Sequence, residues 1–107
     1  MKSGLTQRDL AEIADTLSAF PEIEEAVLFG SRAKGNYKPG SDIDIAIKGK
    51  AIEQSCVNSL SYALNEESSL PYFFDIIHYE SISEQALIDH IDRVGSQIYK
   101  RPSNAGI

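Results

Sequence analysis

The sequence predicts an α+β domain whose elements run helix, strand, turn, strand, helix, strand, helix. Three observations lead there. Apolar residues recur at helical spacing in 6–19, in 52–65 and again after Ser83. The run Ala26-Val27-Leu28-Phe29 is apolar on both faces, as a strand central to a covered sheet requires. Residues 42–48 alternate with period two, Ile43, Ile45 and Ile47 on one side against Asp42, Asp44 and Ala46 on the other.

Thr6 is placed to N-cap the first helix, with Asp9 in its first turn to suit the macrodipole. Leu10, Ile13, Ala14 and Leu17 form its apolar stripe; Phe20 extends the stripe and Pro21 stops it. The strand 25–29 follows. Ser31 to Lys34 make a helical turn closed by Gly35, and 36–40 form a loop. The alternating strand 42–48 ends in a turn at Lys48-Gly49-Lys50. The second long helix carries Ile52, Cys56, Leu60, Ala63 and Leu64 inward. Pro71 ends that connection and 72–79 is a third strand. Ser83 is expected to cap the last helix, with Leu87, Ile91 and Val94 inward and Gly95 as its C′ residue. Ile98 and Tyr99 return along the core, and 102–107 is expected to fray.

At 107 residues the chain is expected to be one domain, with its core in about 6–99. Its net charge of −6 argues against a protein that wraps long nucleic acid, which would need a basic stripe. Nucleotides stay open to it, because a phosphate needs only a local group of donors. Cys56 has no partner for an internal disulfide and sits at core spacing, so it reads as a small buried hydrophobe. The N-terminus has no apolar signal segment, and no run approaches a membrane span, so the expected location is cytoplasmic.

Chemistry concentrates in residues 30–44. Gly30 lies where an apolar strand must turn into a helix, and without a Cβ it lets an anion approach the main chain. Ser31 offers a hydroxyl and an N–H at a helix start. Taken alone the pair reads equally as a strand–turn–helix junction with Ser31 as N-cap. Asp42 and Asp44 fall on one face of one strand, where two like charges need a proton or a cation. A hard divalent ion such as Mg²⁺ suits them, since it takes carboxylate, water and phosphate oxygens; a solvated edge face is the plain alternative. Asp75 stands within Phe73-Phe74-Asp75-Ile76-Ile77, where a buried carboxylate must be neutral, paired or metal-bound. Arg32 and Lys34 flank the turn, either as phosphate neighbours or as exposed basic groups. His78, His90 and Tyr37 are weaker candidates. Glu66-Glu67 and the acids of 22–25 read as solvated faces.

Gly30-Ser31, ten intervening residues and then Asp42-x-Asp44 resemble the motif of the DNA polymerase β-like nucleotidyltransferase superfamily. The flanking text, Phe29-Gly-Ser-Arg-Ala-Lys-Gly35 and Gly40-Ser-Asp-Ile-Asp-Ile45, is similar to its minimal nucleotidyltransferase (MNT) branch, and the likeness in element order covers about 6–99. The resemblance implies the nucleotidyltransferase fold: a small mixed sheet of three core strands with helices on one side. It implies that Asp42, Asp44 and Asp75 are catalytic and hold two Mg²⁺ ions, and that Gly30, Ser31, Arg32 and Lys34 hold the triphosphate of ATP or another NTP. Where Lys34 stands the family more often has arginine, so charge is kept without a bidentate fork.

The implied reaction moves NMP, expected to be AMP, from the NTP to a hydroxyl acceptor and releases pyrophosphate. Larger relatives add an acceptor domain, for which this length leaves no room. Small MNT proteins are commonly paired with an all-helical HEPN toxin and act as its antitoxin, which implies a HEPN-type partner and a protein acceptor. Two alternatives stand beside this: a binding subunit that neutralises a helical partner without catalysis, and transfer to a small molecule.

Overall fold

The computed structural model describes residues 3–38 and 40–102. Of the expected tail, 103–107 lie outside the described residues, as does Pro39 of the expected loop.

Helix α1 spans Gln7–Ser18 and starts on a capping box. The Thr6 hydroxyl accepts the Asp9 N–H at 3.0 Å, and the Asp9 carboxylate accepts the Thr6 N–H at 3.0 Å. Strand β1 (Glu25–Phe29) leads directly into the short helix α2 (Gly30–Lys34), and strand β2 (Ile43–Lys48) follows. Helix α3 (Gln54–Tyr62) runs on into a π-helical turn, Ala63–Glu67. Strand β3 (Phe74–His78), a 3₁₀ turn (Tyr79–Ser81), helix α4 (Gln85–Val94) and strand β4 (Ser96–Lys100) complete the order.

The sheet is mixed, in the order β3-β2-β1-β4. β1 pairs antiparallel with β2 and β4, whereas β2 and β3 run parallel. Period two then divides the sheet between two cores. Ala26, Leu28, Ile43, Ile45, Ile47, Phe74 and Ile76 face α1 and α3, meeting Ile13, Leu17, Cys56, Val57 and Leu60. Val27, Phe29 and Ala46 face the other way and pack with Ile91 of α4, backed by Leu87.

Four expectations change. The sheet has a fourth strand where 96–100 pairs along β1, so Ile98 and Tyr99 reach the core as part of an edge strand. The helices do not all lie on one side, because α4 covers part of the second face. The last helix starts after Glu84, with no side-chain cap from Ser83. Gly95 falls one position earlier than expected, as the C-cap, in an extended conformation at φ −64°. Glycine is needed there for space: a Cβ would run into the Ile91 carbonyl oxygen and the Val27 side chain.

Candidate active site

Three strand ends meet at one edge of the molecule, and the register decides which residues they bring together. Phe29, the last residue of β1, pairs with Asp44 of β2, and Asp44 pairs with Asp75 of β3. Because β1 runs against β2 and β3 runs with it, the C-terminal end of β1 lies beside the N-terminal ends of the other two. Gly30 and Ser31 leave the sheet at the same place, and Asp42 precedes β2 by one residue. Asp44 and Asp75 share the face that carries Ala46 and Ile77, the face α4 covers only in part.

Gly30 has φ +77° and sits against the Asp44 carboxylate; a Cβ built there would overlap Oδ2. Both facts demand glycine. The backbone of the turn therefore touches the carboxylate of the neighbouring strand, and Ser31 follows, half-buried, in the first turn of α2. First-turn N–H groups have no partner within their own helix.

Asp42 is exposed, Asp44 half-buried and Asp75 exposed. Partial burial pushes the Asp44 carboxyl above the ordinary aspartate range, and the charges of Asp75 and Asp42 push it the same way. Among the described residues none of the three carboxylates takes part in an ion pair. The exposure of Asp75 corrects the expectation of an acid walled in by apolar neighbours. β3 is an edge strand; Phe74 and Ile76 turn into the core and Asp75 turns out. Its case as a site residue now stands on adjacency to Asp44, not on burial.

Arg32 is not on the open side of the turn. It is 3% exposed, its Nε donates to the Ser41 carbonyl at 3.1 Å, and one terminal nitrogen donates to the Ser3 carbonyl at 2.9 Å. The rings of Tyr37 and Tyr72 lie 4.9 and 5.0 Å from the guanidinium carbon. These contacts tie the N-terminal segment and the loop before β2 to α2, so the side chain positions the turn instead of facing a ligand. Tyr37 is thereby engaged in packing. Lys34, in the last turn of α2, is exposed.

His78 lies at the far end of β3, paired with Ile47, and its ring contacts Ser81 Oγ at 2.8 Å and Glu80 at 3.2 Å. It is remote from the carboxylates. His90 is nearer than its sequence context indicated: from α4 it packs edge-on against Phe29, with ring centroids 6.2 Å apart. Only the docking of α4 on the second face puts it there, and no local pattern announces that.

The donor set fits a hard divalent cation in kind. All three groups are carboxylates, their charge has no cationic partner among the described residues, and Asp44 is already disfavoured as an anion. Among the described residues no three His, Cys, Asp or Glu side chains are gathered closely enough to enclose an ion unaided. Mg²⁺ rarely asks for that. It keeps several waters and takes one or two carboxylates together with substrate phosphates.

A family model described as "Polymerase beta, Nucleotidyltransferase" matches residues 11–104. No curated protein is detectably similar. Among solved structures, a toxin-antitoxin crystallised with AMP-PNP aligns at TM-score 0.72 and 24% identity, over 87% of this chain and 74% of that one. The toxin-antitoxin MntA-HpeT, carrying two aspartate-to-glutamate changes two positions apart, aligns at TM-score 0.69 and 21% identity, over 86% and 73%. A putative nucleotidyltransferase from Sulfolobus solfataricus aligns at TM-score 0.51 and 32% identity, over 86% and 78%.

Proposed function

Because the chain belongs to the polymerase beta nucleotidyltransferase family, we propose that it is a Mg²⁺-dependent transferase that moves NMP, AMP foremost, from an NTP to a protein hydroxyl. The observation that carries this reading is the register: Asp75 stands beside Asp44, and Asp44 touches the backbone of the Gly30 turn. A triphosphate laid along that turn meets the N–H groups and hydroxyl at Ser31 on one side and the carboxylates on the other, with Lys34 within the same helical turn. Asp42, Asp44 and Asp75, together with water and substrate phosphates, are the groups that would hold Mg²⁺, which would supply charge neutralisation for the phosphates and lower the acceptor's pKa.

In the transfer, the acceptor oxygen bonds to the α-phosphorus while the bond from that phosphorus to the α–β bridging oxygen breaks. Pyrophosphate leaves, and the hydroxyl proton passes to a carboxylate, a role we assign to Asp75, exposed on its edge strand. Gly30 and Ser31 fix the donor and the acids fix the charge, so the protein acts by positioning and electrostatics. Arg32 serves by holding the turn, not by touching phosphate.

The acceptor we assign is a helical partner of HEPN type, with this chain as the antitoxin of the pair, acting in the cytoplasm. Two of the similar structures are toxin-antitoxin proteins, and the aspartates altered in one of them are spaced as Asp42 and Asp44 are. Among the described residues no helix is long and apolar enough to cross a membrane. The test is transfer from α-labelled ATP to the purified partner with Mg²⁺, wild type against Asp42→Ala/Asp44→Ala. Label on the partner that disappears in the variant supports the reading. Neutralisation of the partner by both proteins without label overturns it, and label on a small molecule with no partner present reassigns the acceptor.

A further inference from the structure

Among the described residues Tyr62 and Phe73 are the two large hydrophobic side chains left exposed, each at 59%. They lie eleven positions apart in sequence yet line one groove of about 340 Å³. Two isolated aromatics on a surface mean little; two that share a groove form a patch. Phe73 is the residue before β3, and its carbonyl accepts the Ile43 N–H at 2.9 Å, at the start of β2. The groove therefore opens at the sheet end that carries the carboxylates, with Asp75 two residues beyond Phe73.

We propose that this groove docks the protein acceptor, taking the apolar face of a helix flanked by basic side chains and presenting its hydroxyl toward Asp75. The proposal rests on the transfer reading above. Three features select the occupant. The rim is acidic: among the described residues Glu66 lines the groove and no Lys or Arg does, and Glu67, next in the chain, is exposed. That complements a cationic flank. The aromatics call for apolar anchors, and Tyr and Phe supply large contact area with little rotamer entropy to lose.

The third feature disfavours an extended strand. In the parallel register, residues 73, 75 and 77 bond toward β2, which leaves 74 and 76 facing outward from the edge. The side-chain amide of Asn65 fills the outward rung at Phe74: it accepts the Phe74 N–H at 2.7 Å and donates to the Phe74 carbonyl at 3.0 Å. At the Phe74 rung the sheet edge is thus already occupied, which favours insertion of side chains over strand addition.

The probe is a fluorescein-labelled, helix-forming peptide with Leu and Tyr on one face and Lys at its flanks, beside a twin with Glu in place of Lys. Binding is read by anisotropy without nucleotide, and Mg²⁺–AMP-PNP affinity is read separately by calorimetry. The Lys peptide binds the wild-type chain and binds Tyr62→Ser/Phe73→Ser about tenfold more weakly. The Glu twin binds worse than the Lys peptide, and nucleotide affinity is the same in both proteins. Equal peptide binding by wild type and variant, no binding by wild type, or preference for the Glu twin overturns the docking proposal. Loss of nucleotide binding in the wild type itself overturns the transfer reading, and the peptide arm, which needs no nucleotide, keeps the two failures apart. Both substituted side chains are exposed, and unchanged melting temperatures confirm that the variant is folded.

Discussion

Gly30→Ala tests the geometry on which the site depends. The left-handed φ at this position costs an L residue about 1–2 kcal/mol. The new methyl also overlaps Asp44 Oδ2, and displacement of a packed neighbour costs about 1–3 kcal/mol. Reduced freedom of the unfolded chain returns about 0.4–1 kcal/mol. A net loss of about 2–3 kcal/mol follows. For a domain of this size that is a fall of roughly 10–20 °C in Tm. Urea unfolding followed by far-UV circular dichroism measures it directly. A second variant separates the two causes: Asp44→Ala removes the oxygen that the methyl strikes but leaves the backbone strained. The double-mutant cycle should therefore return a coupling of about 1 kcal/mol. If Gly30→Ala loses less than about 0.5 kcal/mol, or if the two changes simply add, the turn does not rest against that carboxylate and the reasoning fails.

Three further outcomes follow from individual contacts. Asp44 has its native carboxyl raised by burial and by Asp75 and Asp42, so in the window above the ordinary aspartate value the native state holds more proton than the unfolded one. Stability of the metal-free protein thus falls as pH rises through that window. Asp44→Asn should flatten this slope, stabilise the metal-free protein at neutral pH and abolish stabilisation by Mg²⁺, all readable from melting curves across pH with and without the ion. Arg32→Met strands the Ser3 and Ser41 carbonyls in a buried setting and should cost about 2–3 kcal/mol of unfolding free energy in urea melts; a neutral result would show that the guanidinium is not needed to hold the turn. Asn65→Ala removes both bonds to the Phe74 backbone and should cost about 1–3 kcal/mol, with faster hydrogen exchange at the Phe74 amide.

Legibility in the sequence followed the range of the interaction. Thr6 and Asp9, three residues apart, announce the first helix, and the structure closes that capping box. The alternation of Ile43, Ile45 and Ile47 gives β2 its buried face at once. β4 escaped because five edge residues with two half-buried apolar side chains carry little pattern, and their pairing partner lies some seventy positions earlier. The exposure of Asp75 is not legible because its apolar neighbours alternate across an edge strand, and sequence cannot say which strand is the edge. Arg32 shows the same limit at the site: an arginine aimed at phosphate and one bonded to carbonyls of residues 3 and 41 read identically until the chain is folded.

The parallel pairing of β2 with β3 separates the acids topologically. Asp42 and Asp44 arrive beside the glycine turn through a local antiparallel hairpin, whereas Asp75 must cross over by way of α3 before it can join them. A chain severed anywhere in 49–73 would yield two fragments, neither holding a full complement of acids. Mixing such fragments would regenerate the trio only when the crossover strand docks, which makes this domain a natural basis for a split reporter of proximity.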